Sequence, residues 1–447
     1  MGEGRYGPFS FFTILPGWDK LEKKESFFAR DMYRTDRDTE IQHRDSLSIL
    51  IRKPFFHLLL IAVVGLAAYS NCFSVPFVFD DDFNIVHNPV IRVLDHFFTS
   101  LKGYDFNPRR YIGYLSFALN YRIGGLDVAG YHGVNVAIHI GNAMLLYLLV
   151  LLTFRTPYFA HSSLEDGCCQ PKDSGSAGPD AFPVPVFIAF FASLLFAAHP
   201  VQTQAVTYIV QRFTSLATLF YLLSLVFYIK GRLKSQGAKS PLLFYCLSLV
   251  LALCAMKTKE MAWTLPVIII LYEVLFFESP LRRRLLYLLP VLLTLLIIPV
   301  SIVNTDKSLG EVLSDLSEKT RVQSEISRED YFMTEMRVIV TYIRLIFFPV
   351  NQNLDYDYPV SYSFFTPPVF FSFLLLAAIF GAAVYLLYRS RKAEGKAYYR
   401  LIAFGILWFF TGLSIESSVI PIADVIFEHR LYLPAVGAFI AIATSLV

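Results

Sequence analysis

The run "PFFHLLLIAVVGLAAYSNCFSVPFVFDDDFNIVHNP" (residues 54–89) leads a long apolar segment almost directly into three consecutive carboxylates. Residues 54–74 carry no formal charge. At about 1.5 Å per helical residue they reach about 30 Å, the thickness of a hydrocarbon core. Such a segment must be helical, because in lipid only a helix satisfies its own backbone groups and the apolar run does not alternate as a barrel strand would. Asp80, Asp81 and Asp82 then stand at the membrane surface.

The rest of the chain repeats the pattern. Of 447 residues, 55% are apolar and 17% charged, against about 25% charged in an average soluble domain; the mean hydropathy is +0.51. Apolar runs and their breakers predict an all-α polytopic membrane protein with ten crossings, near 54–74, 131–154, 184–199, 213–230, 241–256, 263–277, 285–303, 367–388, 401–415 and 432–447. The net charge of +3 says little; the placement of cations says more. "KGRLKSQGAK" (230–239), "SPLRRR" (279–284) and "RSRKAEGKAYYR" (389–400) are cation-rich short loops, so the positive-inside rule puts them in the cytoplasm. Starting inside, ten crossings place all three on that side. Residues 333–349 are amphipathic, and an eleventh crossing there would move "RSRK" outside, so this segment is expected to be interfacial or re-entrant. Two long loops, 75–130 and 304–366, then face outward.

Residues 1–53 are polar, with charges of both signs and no signal-peptide core, and are expected to form a cytoplasmic segment ahead of a membrane module over 54–447. "SSLEDGCCQPKDSGSAGPD" (162–180) reads as a linker. Cys72, Cys168, Cys169, Cys246 and Cys254 lack metal-ligand or disulfide-framework spacing and are taken as structural or incidental.

The outward loops hold a polar set: the three acids; Arg109 and Arg110; His132; "HPVQTQAVTYIVQR" (199–212); "KTKE" (257–260); "LDYDYP" (354–359); and "FEHRLYLP" (427–434). The acids are not a calcium loop, because Ile85 holds the required Gly position and Ile91 the position of the bidentate Glu. A solvated acidic turn would account for them alone. Lys and Arg at helix ends often snorkel, but snorkelling predicts cations alone. Here Arg212, Lys257, Lys259 and Arg430 come with His199, Glu260, Glu428 and His429, the composition of an anion site with supporting groups. Asp355, Tyr356 and Asp357 suit a sugar, by hydrogen bonds and ring stacking, and equally an interfacial aromatic belt. No phosphate-binding Gly-rich loop is present, which argues against a soluble nucleotide donor, and nothing points to nucleic acid.

"VPFVFDDDFNIVHNPVI" (75–91), "YLSFALNYRIGG" with "GYHGVNVAIH" (114–139), "HPVQTQAVTYIVQR", "KTKE" and "EHRLYLPAVG" (428–437), in that order, resemble the membrane module of the transmembrane and tetratricopeptide-repeat (TMTC-type) protein O-mannosyltransferases and their bacterial relatives, without the repeats. These are enzymes of the GT-C superfamily that use polyprenyl-phosphate sugars. The resemblance implies a GT-C fold, catalysis on the outer face, and a placement in the bacterial inner membrane with the site facing the periplasm or exterior. It puts the family's acidic pair on Asp80 and Asp81, its His-Pro on His199 and Pro200, the Arg closing that turn on Arg212, and its Lys-Glu on Lys259 and Glu260. Gln204 stands where relatives often have Glu, "EHR" departs from the animal pattern around Arg430, and Asp82 is an extra acid.

The implied reaction moves a sugar, mannose being one candidate, from polyprenyl phosphate to a hydroxyl of a protein or glycan acceptor, with inversion. Asp80 or Asp81 would act as general base. Arg212, Lys259, Arg430, Lys257 and Arg109 would hold the donor phosphate, with Glu260, His199, Glu428 and His132 in support. The resemblance assigns no cofactor; a divalent cation on Asp80 and Asp82 stays open, and membrane lipid is the surrounding partner. The rival readings are a secondary transporter or flippase using the acids for ion coupling, and a non-catalytic scaffold.

Overall fold

In a computed structural model of the chain, residues 53–160, 183–235, 240–297, 326–391, 397–422 and 424–447 are described. The expected N-terminal segment, the linker 162–180 with Cys168 and Cys169, and residues 304–325 of the second long loop lie outside them, as do parts of two cation-rich loops.

The described residues are helices joined by tight turns, without strands. The main helices are α1 (Pro54–Ala68), α2 (Tyr111–Gly124), α3 (Val128–Thr153), α4 (Val184–Ala198), α5 (Arg212–Lys234), α6 (Leu242–Met256), α7 (Leu265–Phe276), α8 (Leu281–Leu293), α9 (Arg328–Phe347), α10 (Pro367–Arg389), α11 (Ala397–Leu413) and α12 (Tyr432–Ser445). Three segments are long and apolar enough to cross a membrane: α3, Ile209–Lys234 with α5, and α10; α4 joined to Pro200–Thr207 makes a fourth, bent by 54°. Helices α1, α6 and α11 are apolar but shorter. The expected ten crossings are therefore met by three or four segments on this criterion. The reason is local: the expected run at 263–277 begins in a 3₁₀ turn, Glu260–Thr264, the run at 432–447 follows another, Glu428–Leu431, and forms a helix of 14 residues, and the run 285–303 passes beyond the described residues.

Charge marks two ends of the bundle. Helix α5 has Arg212 at its first position and Arg232 near its last, about 30 Å apart at helical rise. At the Arg232 end, Glu273 of α7 takes Arg232 through both carboxylate oxygens, at 2.8 Å each, and lies 3.9 Å from Arg284 of α8. Arg400 of α11 donates to the Leu275 carbonyl beside them. The three cation-rich loops thus meet at one end, as their composition suggests.

At the other end, the first long loop folds on itself. Ile85, Ile91, Phe97, Tyr114, Phe117 and Tyr131 form a small core with Tyr208, Ile209, Val210 and Phe213, so residues 75–130 cap the turn that starts α5. Helix α9 is capped by Ser327, whose side chain accepts from the Asp330 N–H, and opens with Glu329 and Asp330 against its positive end. It buries Tyr331, Thr334, Glu335, Val338, Tyr342 and Leu345 at helical spacing, which agrees with the amphipathic reading. Helices α11 and α12 cross at Gly405 and Gly437, where a Cβ on Gly405 would lie 2.4 Å from the Gly437 carbonyl oxygen; small residues permit such backbone contact in membrane bundles.

Candidate active site

The acidic stretch divides into three residues with three surroundings. Phe79 takes a left-handed backbone, φ 46°, which turns the chain so that successive acids face different ways. Asp81 points inward and is 1% exposed. Its Oδ2 accepts from the Val78 N–H at 3.0 Å and its Oδ1 from the Val210 N–H at 2.7 Å, fastening the loop to the turn before Arg212. Burial pushes its carboxyl up to about 6, against those backbone N–H groups and with a further push from Asp80. Asp80 faces out; its N–H donates to the Tyr208 hydroxyl at 2.9 Å, and its carbonyl accepts from Asn84. Asp82 is exposed and lies 3.0 Å from His87. Among the described residues no group of three metal-ligating side chains is gathered anywhere.

Beside this loop, "KTKE" brings in a chain of ion pairs. Glu260 lies 3.3 Å from Arg110 Nη2 and 3.9 Å from Arg109 Nε. Burial opposes its charge, but Arg110, a backbone N–H and Arg109 together outweigh it and hold the carboxyl down at about 2. The same carboxylate raises Arg110. Lys259 is pulled down by burial, opposed by Glu416, whose Oε1 it meets at 2.9 Å while also donating to Thr214 at 2.9 Å. Lys257 extends over the Tyr104 ring, and its carbonyl accepts from the Ile112 N–H at 2.9 Å. Tyr114 completes the junction by donating to Asn84 at 2.6 Å.

The "EHR" turn abuts the same cations. His429 is buried, and its proton affinity falls well below the usual imidazole value because of that burial and the nearby charges of Lys259, Arg430 and Arg110. Its backbone N–H donates to Gln204 Oε1 at 2.6 Å, the residue noted above as a departure from the resembled family's pattern. Arg430 donates to the carbonyls of Val425 and Asp424 and lies 3.9 Å from Glu335 of α9. Burial raises the Glu335 carboxyl to about 7, against the pull of Arg430. Glu428 accepts from the Asn353 N–H at 2.9 Å, from Gln352 at 2.5 Å and from the Tyr356 hydroxyl. The aromatic loop is thereby stitched to the head of α12, with Tyr356 spent as an anchor while Asp355 and Asp357 stay exposed.

The cations sort by access. Arg212 is wholly buried and donates to Asn135 (2.6 Å), Asn120 (2.9 Å) and the Tyr131 carbonyl (2.9 Å), with its guanidinium 4.7 Å from the Phe117 ring centre. Lys259 and Arg430 are 5% and 3% exposed. Arg109 and Arg110, with side chains 44% and 35% exposed, are open to a ligand. His199 accepts from the Val201 N–H through Nδ1 and meets the Ile346 carbonyl through Nε2 at 2.9 Å, and His132 meets the Val75 carbonyl at 2.9 Å; both tie elements together. Sequence reasoning missed Glu416, Glu335 and Tyr208. Glu416, in "GLSIESSVIPIAD" just past an apolar helix, carried the same signal as the others, since a lone acid at a bilayer edge demands a partner.

The chain is 31% identical over 248 residues to the human "Protein O-mannosyl-transferase TMTC4", a match covering 51% of this chain and 30% of that protein. It is 30% identical over 239 residues to the Mus musculus "Protein O-mannosyl-transferase TMTC2" (51% and 25%), and 28% identical over 186 residues to the Caenorhabditis elegans "Protein O-mannosyl-transferase F38B6.6" (39% and 23%). These matches span under a third of each relative's length. No family model and no solved structure matches. The resemblance to TMTC-type proteins read from the motifs is thus found again in whole-sequence comparison over about half the chain.

Proposed function

We propose that this membrane protein is a glycosyltransferase that moves a hexose, mannose by analogy with the named activity of its relatives, from a polyprenyl-phosphate carrier to a hydroxyl on a protein acceptor. The observation that carries the reading is the junction of the acidic loop with the cations: Asp81 Oδ1 on the Val210 N–H at 2.7 Å, next to the start of α5, with Arg109, Arg110, Lys259 and Glu260 gathered alongside. The reaction has one step. A carboxylate takes the acceptor hydroxyl's proton as its oxygen bonds to the anomeric carbon; the bond from that carbon to the phosphate oxygen breaks, and polyprenyl phosphate leaves with the electron pair. Attack opposite the leaving group inverts the linkage.

The roles follow from access. Asp80 is the base: it is exposed, whereas Asp81, though raised toward neutrality, has both oxygens committed to backbone N–H groups, and geometry decides before proton affinity. Arg109, Arg110 and Lys257 receive the phosphate, whose added charge they stabilise as it leaves. Lys259 and Arg430 supply positive field from behind, and Arg212 scaffolds the turn. Ten crossings, with the site on the outer or lumenal face, complete the reading. The relatives are animal proteins, so a bacterial inner membrane is not part of it. Incubating the purified chain with labelled polyprenyl-phosphate sugars and hydroxyl-bearing peptides, followed by mass spectrometry, tests the reading. A glycopeptide formed with release of polyprenyl phosphate supports it; no transfer from any hexose carrier overturns it.

A further inference from the structure

Where the cation-rich loops meet, a cavity of about 220 Å³ opens between α5, α6 and α8, lined by Tyr228, Leu242, Tyr245, Leu286, Tyr287 and Val291 among others. The rings of Tyr245 and Tyr287 stack at 5.4 Å along its wall, and the Tyr245 hydroxyl is buried near Arg232 and Ser235 without a hydrogen bond of normal geometry. The lining is mostly apolar, with the side chains of Tyr228, Ser248 and Tyr287 among it. The cavity lies at the Arg232 end of α5, about 30 Å along the helix from Arg212 and the candidate active site.

Two charges precede the lining residues at the start of α8. Arg282 and Arg283 are exposed; Arg282 precedes Leu286 by four positions, and Arg283 precedes Leu286, Tyr287 and Pro290 by three, four and seven, the spacing of one helix face. Neither has an ion-pair partner among the described residues, whereas Arg284 and Arg232 are both taken by Glu273. The same helix exposes Leu281, Leu285, Leu286 and Leu289, as a lipid-facing surface does. Cations at the rim, aromatic rings at the throat and an apolar interior follow the order of a phospholipid's own parts: anionic phosphate, ester region, acyl chain.

We propose that α5, α6 and α8 form a binding site for an anionic glycerophospholipid, its phosphate on Arg282 and Arg283 and the upper part of one acyl chain in the cavity. The cationic rim distinguishes it from generic lipid contact, since a zwitterionic headgroup brings its own ammonium to the same place. The site is read without sugar donor or acceptor, so it stands or falls apart from the proposed transferase activity.

The test is native mass spectrometry of the full chain released from nanodiscs holding equal phosphatidylglycerol and phosphatidylcholine. The wild type is expected to retain phosphatidylglycerol at least tenfold over phosphatidylcholine. The exposed-residue double variant R282Q/R283Q should lose that preference while still carrying lipid, and L249W, which fills the cavity, should lower retention of both. Equal retention of the two lipids by the wild type, an unchanged preference in R282Q/R283Q, or recovery of polyprenyl phosphate as the tightly held species overturns the proposal. Should L249W fail to fold, the double variant alone decides.

Discussion

Asp80 and Asp81 are neighbours in the chain and opposites in the fold, and their variants should separate cleanly. Asp80→Asn removes an exposed base and is expected to cut transfer by about 10²–10⁴-fold with an unchanged melting temperature; full activity in this variant would sink the assignment. Asp81→Asn keeps the shape but gives the Val78 and Val210 N–H groups one neutral acceptor and one amide, with a stability penalty of about 1–3 kcal/mol for each donor left unpaired. The pH dependence carries a sign. Asp81 ionises near 3.8 when unfolded and near 6 in the fold, so the folded state holds a proton that the unfolded chain has released between those values. Its contribution makes the protein more stable as pH falls from about 6 toward 4. Thermal melts across that window should show this trend in the wild type and a flatter profile in Asp81→Asn. At this scale the sequence revealed which residue types would gather, but not which would be reachable: "KTKE" offers both lysines to a phosphate, yet Lys259 is buried on Glu416 while Lys257 lies over a ring.

Helix packing sets the next level of constraint. Gly405→Ala would drive a methyl into the Gly437 carbonyl, and because the obstacle is backbone the helices must part; a lowered melting temperature by several degrees is expected, without a specific loss of donor binding. The Lys259–Glu416 pair joins the turn before α7 to the segment after α11. Breaking one side leaves a buried charge, at about 3–5 kcal/mol, so Lys259→Met should destabilise more than the double variant Lys259→Met/Glu416→Leu. Additive losses in that cycle would contradict the pairing. Elements with strong periodicity were legible: α9 is the amphipathic helix its pattern implies, and α3, α5 and α10 follow from hydropathy. The cap over 75–130 was not, because Ile85, Ile91 and Phe97 come from separate short turns with no common period, and the stretch ahead of α2 read as an open loop.

Across the whole molecule, the two charged ends of α5 imply two sides of a membrane. Single cysteines at Asp357 and Arg283, in an otherwise cysteine-free protein, should react with a membrane-impermeant maleimide from opposite faces of sealed vesicles; labelling from one face would undo the topology. The number of crossings was read from apolar runs, which measure greasiness and not helix length, and the helices over several of them are 12, 14 or 15 residues long, below the roughly 20 residues a straight span needs. One feature of the site end also governs how it can move. Because a single carboxylate, Glu428, grips the backbone of Asn353, the amide of Gln352 and the phenol of Tyr356 at once, the aromatic loop behaves as a fixed jaw. Room for a bulky incoming acceptor is then expected from elsewhere at the site's mouth, not from movement of this loop.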